Sequence, residues 1–185
     1  MSKGKRSRSG ASAGRSYPRS EVRAKKKLGQ HFLKDVSIAK RIAETLTLDQ
    51  TNNVIEIGPG TGILTRQLLE RPIHLIAVEL DRESVVYLNT KFIPSLAVEN
   101  LGYHSLRVLE ADFLNLDLGT LFQGEPYAIT GNFPYNISSQ IVFRLLEVRS
   151  RVPEFSGMFQ KEVALNIAST ANAATFILLF FDILN

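Results

Sequence analysis

Val54-Ile55-Glu56-Ile57-Gly58-Pro59-Gly60-Thr61-Gly62 is the stretch that decides the fold of this chain. Val54 to Ile57 is three β-branched apolar residues interrupted by one acid, the composition of a short buried strand. Gly58, Gly60 and Gly62 follow at once. They can take backbone angles that other residues avoid, and they present no Cβ to a ligand lying against the turn. Ile63 to Glu70 then places apolar residues at helical spacing. Strand, glycine turn and helix make the first crossover of a Rossmann-like sheet, where ligands sit at the carboxyl ends of the strands.

The spacing of the glycines bears on the ligand. A dinucleotide fingerprint is G-x-G-x-x-G; here the order is G-x-G-x-G, with Glu56 inside the strand end. A carboxylate there repels a pyrophosphate and suits a cation. E-x-G-x-G-x-G after a strand resembles motif I of the class I S-adenosylmethionine-dependent methyltransferases. Their cofactor carries a sulfonium and an ammonium. The alternative is a glycine-rich turn with no cofactor.

The rest of the chain sets bounds. Its 185 residues suffice for one full domain. It has no cysteine and only three scattered histidines, which excludes a disulfide framework, thiolate chemistry and a zinc site. No apolar run reaches the roughly 18 residues that span a membrane. The net charge of +4 is divided unequally. Residues 1–27 hold ten Lys or Arg and one Glu, whereas residues 28–185 hold twelve basic and seventeen acidic residues. Residues 1–27 therefore read as a basic disordered tail on an acidic domain. The tail is either an arm that grips RNA phosphates or a solubilising extension; it lacks the apolar helical face of a mitochondrial presequence.

Downstream, a helix is predicted from about Val36 to Leu46, capped by Asp35 or Ser37. A second strand spans Ile73 to Leu80, followed by a helix from near Arg82 that carries Val85, Val86 and Leu88. Leu106 to Phe113 and Tyr127 to Asn132 read as further strands. Ser138 to Glu147 reads as a helix with Ile141, Val142, Leu145 and Leu146 turned inward. A fifth strand is expected at Gly157 to Gln160, a helix at Lys161 to Ala168 and a last apolar strand within Ala173 to Leu184. At a sheet edge that last strand would be an aggregation hazard. The alternation predicts an α/β fold, a mostly parallel sheet with helices on both faces.

Acids recur at successive strand ends: Glu56, Glu79 and Asp112. In a parallel sheet these ends are expected side by side on one rim, in register with the glycine turn. Glu79 follows the turn by about twenty residues, where a carboxylate can accept both ribose hydroxyls. Asp112 can accept a hydrogen bond from an adenine amine, with Phe113 beside the ring. Each acid alone would more often be a solvated strand end; the three together with the turn favour a nucleoside-like cofactor.

Gly131-Asn132-Phe133-Pro134-Tyr135-Asn136 ends the fourth strand. N-(P/L/F)-P-(Y/F) at this place resembles motif IV of methyltransferases that act on nucleobase amino groups. An adenine amine is a poor nucleophile because its lone pair is delocalised into the ring. The Asn132 side-chain oxygen and the Phe133 carbonyl can each accept one amino hydrogen, favouring a pyramidal nitrogen. Pro134 fixes the backbone, and Tyr135 offers a flat face to an unstacked base.

Leu28-Gly29-Gln30-His31-Phe32-Leu33, the glycine turn, Glu79-Leu80-Asp81, Glu110-Ala111-Asp112, Asn132-Phe133-Pro134-Tyr135-Asn136-Ile137-Ser138-Ser139 and Gln160-Lys161-Glu162-Val163-Ala164 occur in one order. Together they resemble the ribosomal RNA small-subunit adenine dimethyltransferases, over roughly residues 25–168. The resemblance implies the class I methyltransferase fold and S-adenosylmethionine as cofactor. It implies N6,N6-dimethylation of two adjacent adenines in the 3′-terminal hairpin of small-subunit (16S) ribosomal RNA during ribosome biogenesis. The partner is then that RNA or an immature small subunit, and the protein a cytoplasmic monomer without membrane attachment. The cofactor residues are His31, Leu33, Glu56, Gly58, Gly60, Glu79, Asp112, Phe113 and Asn132; the catalytic set is Asn132, Phe133, Pro134 and Tyr135.

Members of that family continue into further strands and a small helical domain, whereas residues 28–185 read as the cofactor-binding domain without it. A rival reading is therefore an rRNA-binding ribosome-assembly factor with a methyltransferase-like domain and little turnover. A DNA adenine methyltransferase is a nearer alternative, and Gly29-Gln30-His31-Phe32-Leu33 argues against it.

Overall fold

The computed structural model describes residues 22, 32–99, 105–134 and 136–159, and residues 176–180 by their backbone. The basic tail, His31, Tyr135 and the helix expected at 161–168 lie outside the described residues.

α1 spans Val36–Glu44, and Asp35 caps it by accepting the Ser37 N–H at 2.8 Å. Ala39, Ile42 and Ala43 form its buried stripe. The start of the connection that follows is fastened from two sides. Arg71 donates to the carbonyls of Ala43 and Leu46 at 2.8 and 2.7 Å, closing the helix C-terminus. Buried Glu154 accepts from the backbone N–H groups of Thr47 and Leu48 at 2.6 and 2.8 Å.

The strands are β1 (Asn53–Ile57), β2 (His74–Glu79), β3 (Leu106–Glu110), β4 (Ala128–Asn132), β5 (Phe155–Phe159) and β6 (Phe176–Phe180). They form one six-stranded sheet in the order β3-β2-β1-β4-β5-β6. Every pairing is parallel. The expected α/β fold of the Rossmann-like class I methyltransferase type is what the chain adopts. The strand order reverses between β1 and β4, the switch point where open α/β sheets bind ligands. Among the described residues β6 is the last strand of the sheet, paired to β5.

Side-chain alternation divides the core into two layers. Val54, Leu75, Ala128 and Met158 face α1, α2 (Ile63–Leu68) and the segment carrying Leu88, Phe92 and Leu96. Ile55, Ile57, Ile129, Phe133, Phe155 and Phe159 face the other way, onto Ile141 and Leu145 of α5 (Ser138–Glu147). Helices therefore cover both faces.

Some expectations are corrected. The helix after β2 starts at Arg82 as expected, and α3 (Arg82–Tyr87) passes through a π-turn at Leu88–Phe92 into α4 (Ile93–Val98). Pro94 lacks the N–H that would bond to the Thr90 carbonyl, so a regular ladder cannot run through it. Val86 is exposed, and Val85 and Leu88 carry the packing. On α5, Ile141 and Leu145 are buried, Leu146 is 41% exposed and Phe143 is 69% exposed. β3 ends at Glu110, so Asp112 stands in the turn beyond it. β5 begins at Phe155, two residues before its predicted start.

Candidate active site

The three acids do not share one level; they climb. Glu56 pairs across β1 and β2 with Ala77, and Glu79, two residues on, pairs with Glu110 of β3. Asp112 lies two residues past Glu110. With a side-chain period of two, the side chains of Glu56 and Glu79 fall on one face of the sheet, one step apart. Glu56, Glu79 and Asp112 all line one cleft at the carboxyl ends of the strands. On the other side of β1, Glu56 pairs with Thr130 of β4, which places Asn132 one step above it on the same face.

Glu79 is 4% exposed, and each of its oxygens is already tied to backbone. Oε2 accepts from Gly60 N at 3.0 Å and Oε1 from Asp81 N at 2.9 Å. Burial raises its pKa, and these two bonds oppose the rise. The glycine turn is thus pinned to the end of β2.

The glycines have separate reasons. Gly58, Gly60 and Gly62 have φ of +68°, +56° and +83°, the left-handed region that favours glycine. A Cβ on Gly60 would lie 2.8 Å from the Phe32 ring, and one on Gly62 would lie 2.6 Å from the Phe92 ring. Of the three, Gly58, which donates to the Val78 carbonyl at 2.9 Å, is the one whose Cβ would meet no atom of the described residues within 4 Å. At Gly60 and Gly62 the space a Cβ would need is taken by aromatic rings, so packing as well as the turn requires glycine there, while Gly60 still lines the cleft.

Glu56 is 1% exposed and lines the floor of the cleft. Burial pushes its pKa up to about 8; nearby Thr65 opposes the shift and the charge of Glu79 adds to it. Among the described residues its Oε2 has no hydrogen-bond partner, and the buried hydroxyls of Thr65, close enough to lower the Glu56 pKa, and of Thr130 make no bond of good geometry. An orphaned carboxylate oxygen under a cleft fits a cationic group.

Asp112 organises its own turn, accepting from Leu114 N at 2.9 Å and from the Asn115 amide at 2.7 Å. Phe113 is 3% exposed and packs into the core while lining the cleft. Leu33 and Phe32 form part of the wall, ahead of α1. Asn132, Phe133 and Pro134 line it from the end of β4. The structure therefore brings together Leu33, Glu56, Gly58, Gly60, Glu79, Asp112, Phe113, Asn132, Phe133 and Pro134.

Sequence reasoning missed Phe32, Leu80 and Ile137 as cleft residues. Phe32 lies within the Gly29-Gln30-His31-Phe32-Leu33 motif, and a large aromatic beside Leu33 was the available signal. Leu80 is 52% exposed directly after Glu79, an apolar group left open at the mouth of the cleft. Among the described residues no cluster of His, Asp and Glu is placed to hold a metal ion, and no helix is long and apolar enough to cross a membrane.

The family model of ribosomal RNA adenine dimethylase matches residues 21–175. Ribosomal RNA small subunit methyltransferase A of Flavobacterium johnsoniae is 50% identical over 156 residues, covering 84% of this chain and 56% of that protein. Its namesake from Porphyromonas gingivalis is 52% identical over 149 residues, covering 80% and 54%. The chain spans about half the length of these curated relatives. Among solved structures, the 23S rRNA methyltransferase ErmE superposes with a TM-score of 0.61 at 31% identity, covering 78% of this chain and 54% of that one. A dimethyladenosine transferase from Plasmodium falciparum gives 0.61 at 30% identity, covering 77% and 47%. With Glu56, Glu79, Asp112 and Asn132 set in one cleft of this fold and these relatives beside it, the chain belongs to the ribosomal RNA adenine dimethylase family.

Proposed function

We propose that this chain carries out S-adenosylmethionine-dependent N6,N6-dimethylation of two adjacent adenines in the 3′-terminal hairpin of small-subunit ribosomal RNA. The observation that carries the reading is Asn132. It closes β4 beside the switch point, one step above Thr130 and in the same cleft as Glu56 and Glu79. The names of the relatives near 50% identity support the small subunit as the target.

The residues fit the cofactor. The Oε2 of Glu56, unpartnered among the described residues, suits its cationic end, and Glu79 retains lone pairs for ribose hydroxyls. Asp112 and Phe113 suit an adenine edge and face, and Gly58 leaves room beside them. When bound, S-adenosylmethionine supplies a methyl group on a sulfonium. The chain's own part is positioning. The Asn132 side-chain oxygen and the Phe133 carbonyl accept the two amino hydrogens of the target adenine. The nitrogen lone pair is thereby freed from the ring and held in line. Pro134 limits the backbone of the turn, and Tyr135 gives the extruded base a flat face. The amine becomes acidic once alkylated, so its proton can pass to solvent after transfer.

The test is incubation of small subunits lacking the modification with labelled cofactor, followed by digestion to nucleosides. Labelled N6,N6-dimethyladenosine at the adjacent pair is the expected result. Binding to the subunit without label would overturn the enzyme reading and leave an assembly factor.

A further inference from the structure

We infer that Phe155, Gly157 and Phe159 are positioning residues for the Asn132–Phe133–Pro134 turn: they form a seat for the Phe133 ring on the face of the sheet away from Asn132. The inference rests on the methyl-transfer reading above and goes beyond it, because none of the three lines the cleft.

The seat follows from register. β4 and β5 run parallel with Gly131 opposite Gly157 and Asn132 opposite Met158. Phe155, Gly157 and Phe159 alternate along β5 onto the α5 face, so glycine leaves a gap between two rings. The Phe133 ring fills that gap, with its centroid 4.5 Å from that of Phe159 and 5.3 Å from that of Phe155. The ring is 1% exposed.

The fit depends on bare backbone beneath the ring. A Cβ on Gly157 would stand 2.2 Å from Phe133 Cε2, and one on Gly131 would stand 3.1 Å from Phe133 Cε1. Paired glycines in a strand interior weaken a sheet unless something packs on them. Here an aromatic ring does, and ring pairs at these separations are directional contacts. Phe133 N also donates to the Met158 carbonyl at 3.2 Å, holding the chain to β5 at the same point.

The consequence reaches the cleft through alternation. With the Phe133 ring held on the α5 face, its neighbour Asn132 is turned to the opposite face, where Glu56 lies. A side chain that merely filled core space would contribute stability alone. A seat that aims the turn contributes to the rate at a fixed cofactor affinity.

The experiment is a double-mutant cycle on the full chain. Phe159→Leu keeps apolar bulk and removes the closest ring contact; it is measured alone and in a Phe133→Leu background. The readouts are single-turnover methyl transfer to unmodified small subunits at saturating cofactor, and cofactor affinity by calorimetry. Phe159→Leu is expected to slow transfer about tenfold with cofactor affinity within about twofold, and to add little once Phe133 is Leu. Additive losses, or rate and cofactor affinity falling together, would overturn the seat. If Phe159→Leu does not fold, Phe155→Leu enters the same cycle. A parent that binds cofactor and subunit without transfer overturns the functional reading as well; an active parent with additive variants overturns the seat alone.

Discussion

Gly60 donates its backbone N–H to Oε2 of Glu79 at 3.0 Å, so the acid assigned to the ribose is also the clasp of the glycine turn. Glu79→Ala removes both functions. Cofactor affinity should fall about ten- to a hundredfold, the worth of charge-assisted hydrogen bonds. Glu79→Gln keeps one oxygen acceptor and should fall less. Calorimetry with S-adenosylhomocysteine measures both variants. Unchanged affinity in a folded Glu79→Ala protein would remove Glu79 from the cofactor site.

The glycines separate by experiment. Gly60→Ala adds a Cβ 2.8 Å from the Phe32 ring in a left-handed backbone, whereas Gly58→Ala meets no protein atom within 4 Å. Both should lose about 1–2 kcal/mol to backbone strain, and Gly60→Ala should lose more through displacement of Phe32. Gly58→Ala should in addition weaken ligand affinity, because its Cβ would enter the cleft. Urea denaturation and calorimetry together distinguish them; equal stability losses would mean that Phe32 moves freely aside.

Glu56 gives the protein a pH dependence of defined sign. Its carboxyl is raised by burial from 4.5 to about 8, so the native state keeps a proton that the unfolded chain releases. That contribution to stability is present below about pH 4.5 and is lost as pH rises through about 8. The slope is at most about 1.4 kcal/mol per pH unit. Glu56→Gln should remove this slope, and denaturation from mildly acid to mildly alkaline pH would detect it. A cationic ligand favours the ionised form, so cofactor binding should release a proton near neutrality and cease to do so in Glu56→Gln. Glu79 is the charged neighbour that acts on Glu56, and its own Ala variant controls for it. Identical pH profiles for the parent and Glu56→Gln would show that Glu56 is ionised throughout.

Much of this was legible in the sequence where local pattern decides structure. The β-branched apolar run at Val54–Ile57, the glycines and the stripe of α1 each specify their element without reference to the rest of the chain. What was not legible depends on register. The climb from Glu56 to Glu79 to Asp112 exists because neighbouring strands are offset by two residues, which no single strand encodes. The orphaned hydroxyl of Thr130 gains meaning only from its pairing with Glu56. Gly60 and Gly62 read as ligand glycines, and the rings of Phe32 and Phe92 that also require glycine there lie about thirty residues away in the chain, beyond the reach of local pattern. The π-turn after α3 has a local cause in Pro94, whose missing N–H cannot continue the ladder to Thr90. Leu146 shares its apolar character with Leu145, and only the direction of α5 turns one inward and the other out.

The central claim is that Asn132 activates the adenine amine, and single-turnover methyl transfer by Asn132→Ala tests it most directly. The assay uses saturating cofactor and unmodified small subunits. The Phe133 carbonyl remains, so the rate should fall about a hundred- to a thousandfold, the usual cost of one well-placed electrostatic group. Cofactor affinity should fall much less, and the fold should hold because Asn132 ends a strand at the cleft. Transfer at close to the parent's rate would mean that the amine is activated elsewhere in the cleft, and would contradict the role of Asn132 as its acceptor.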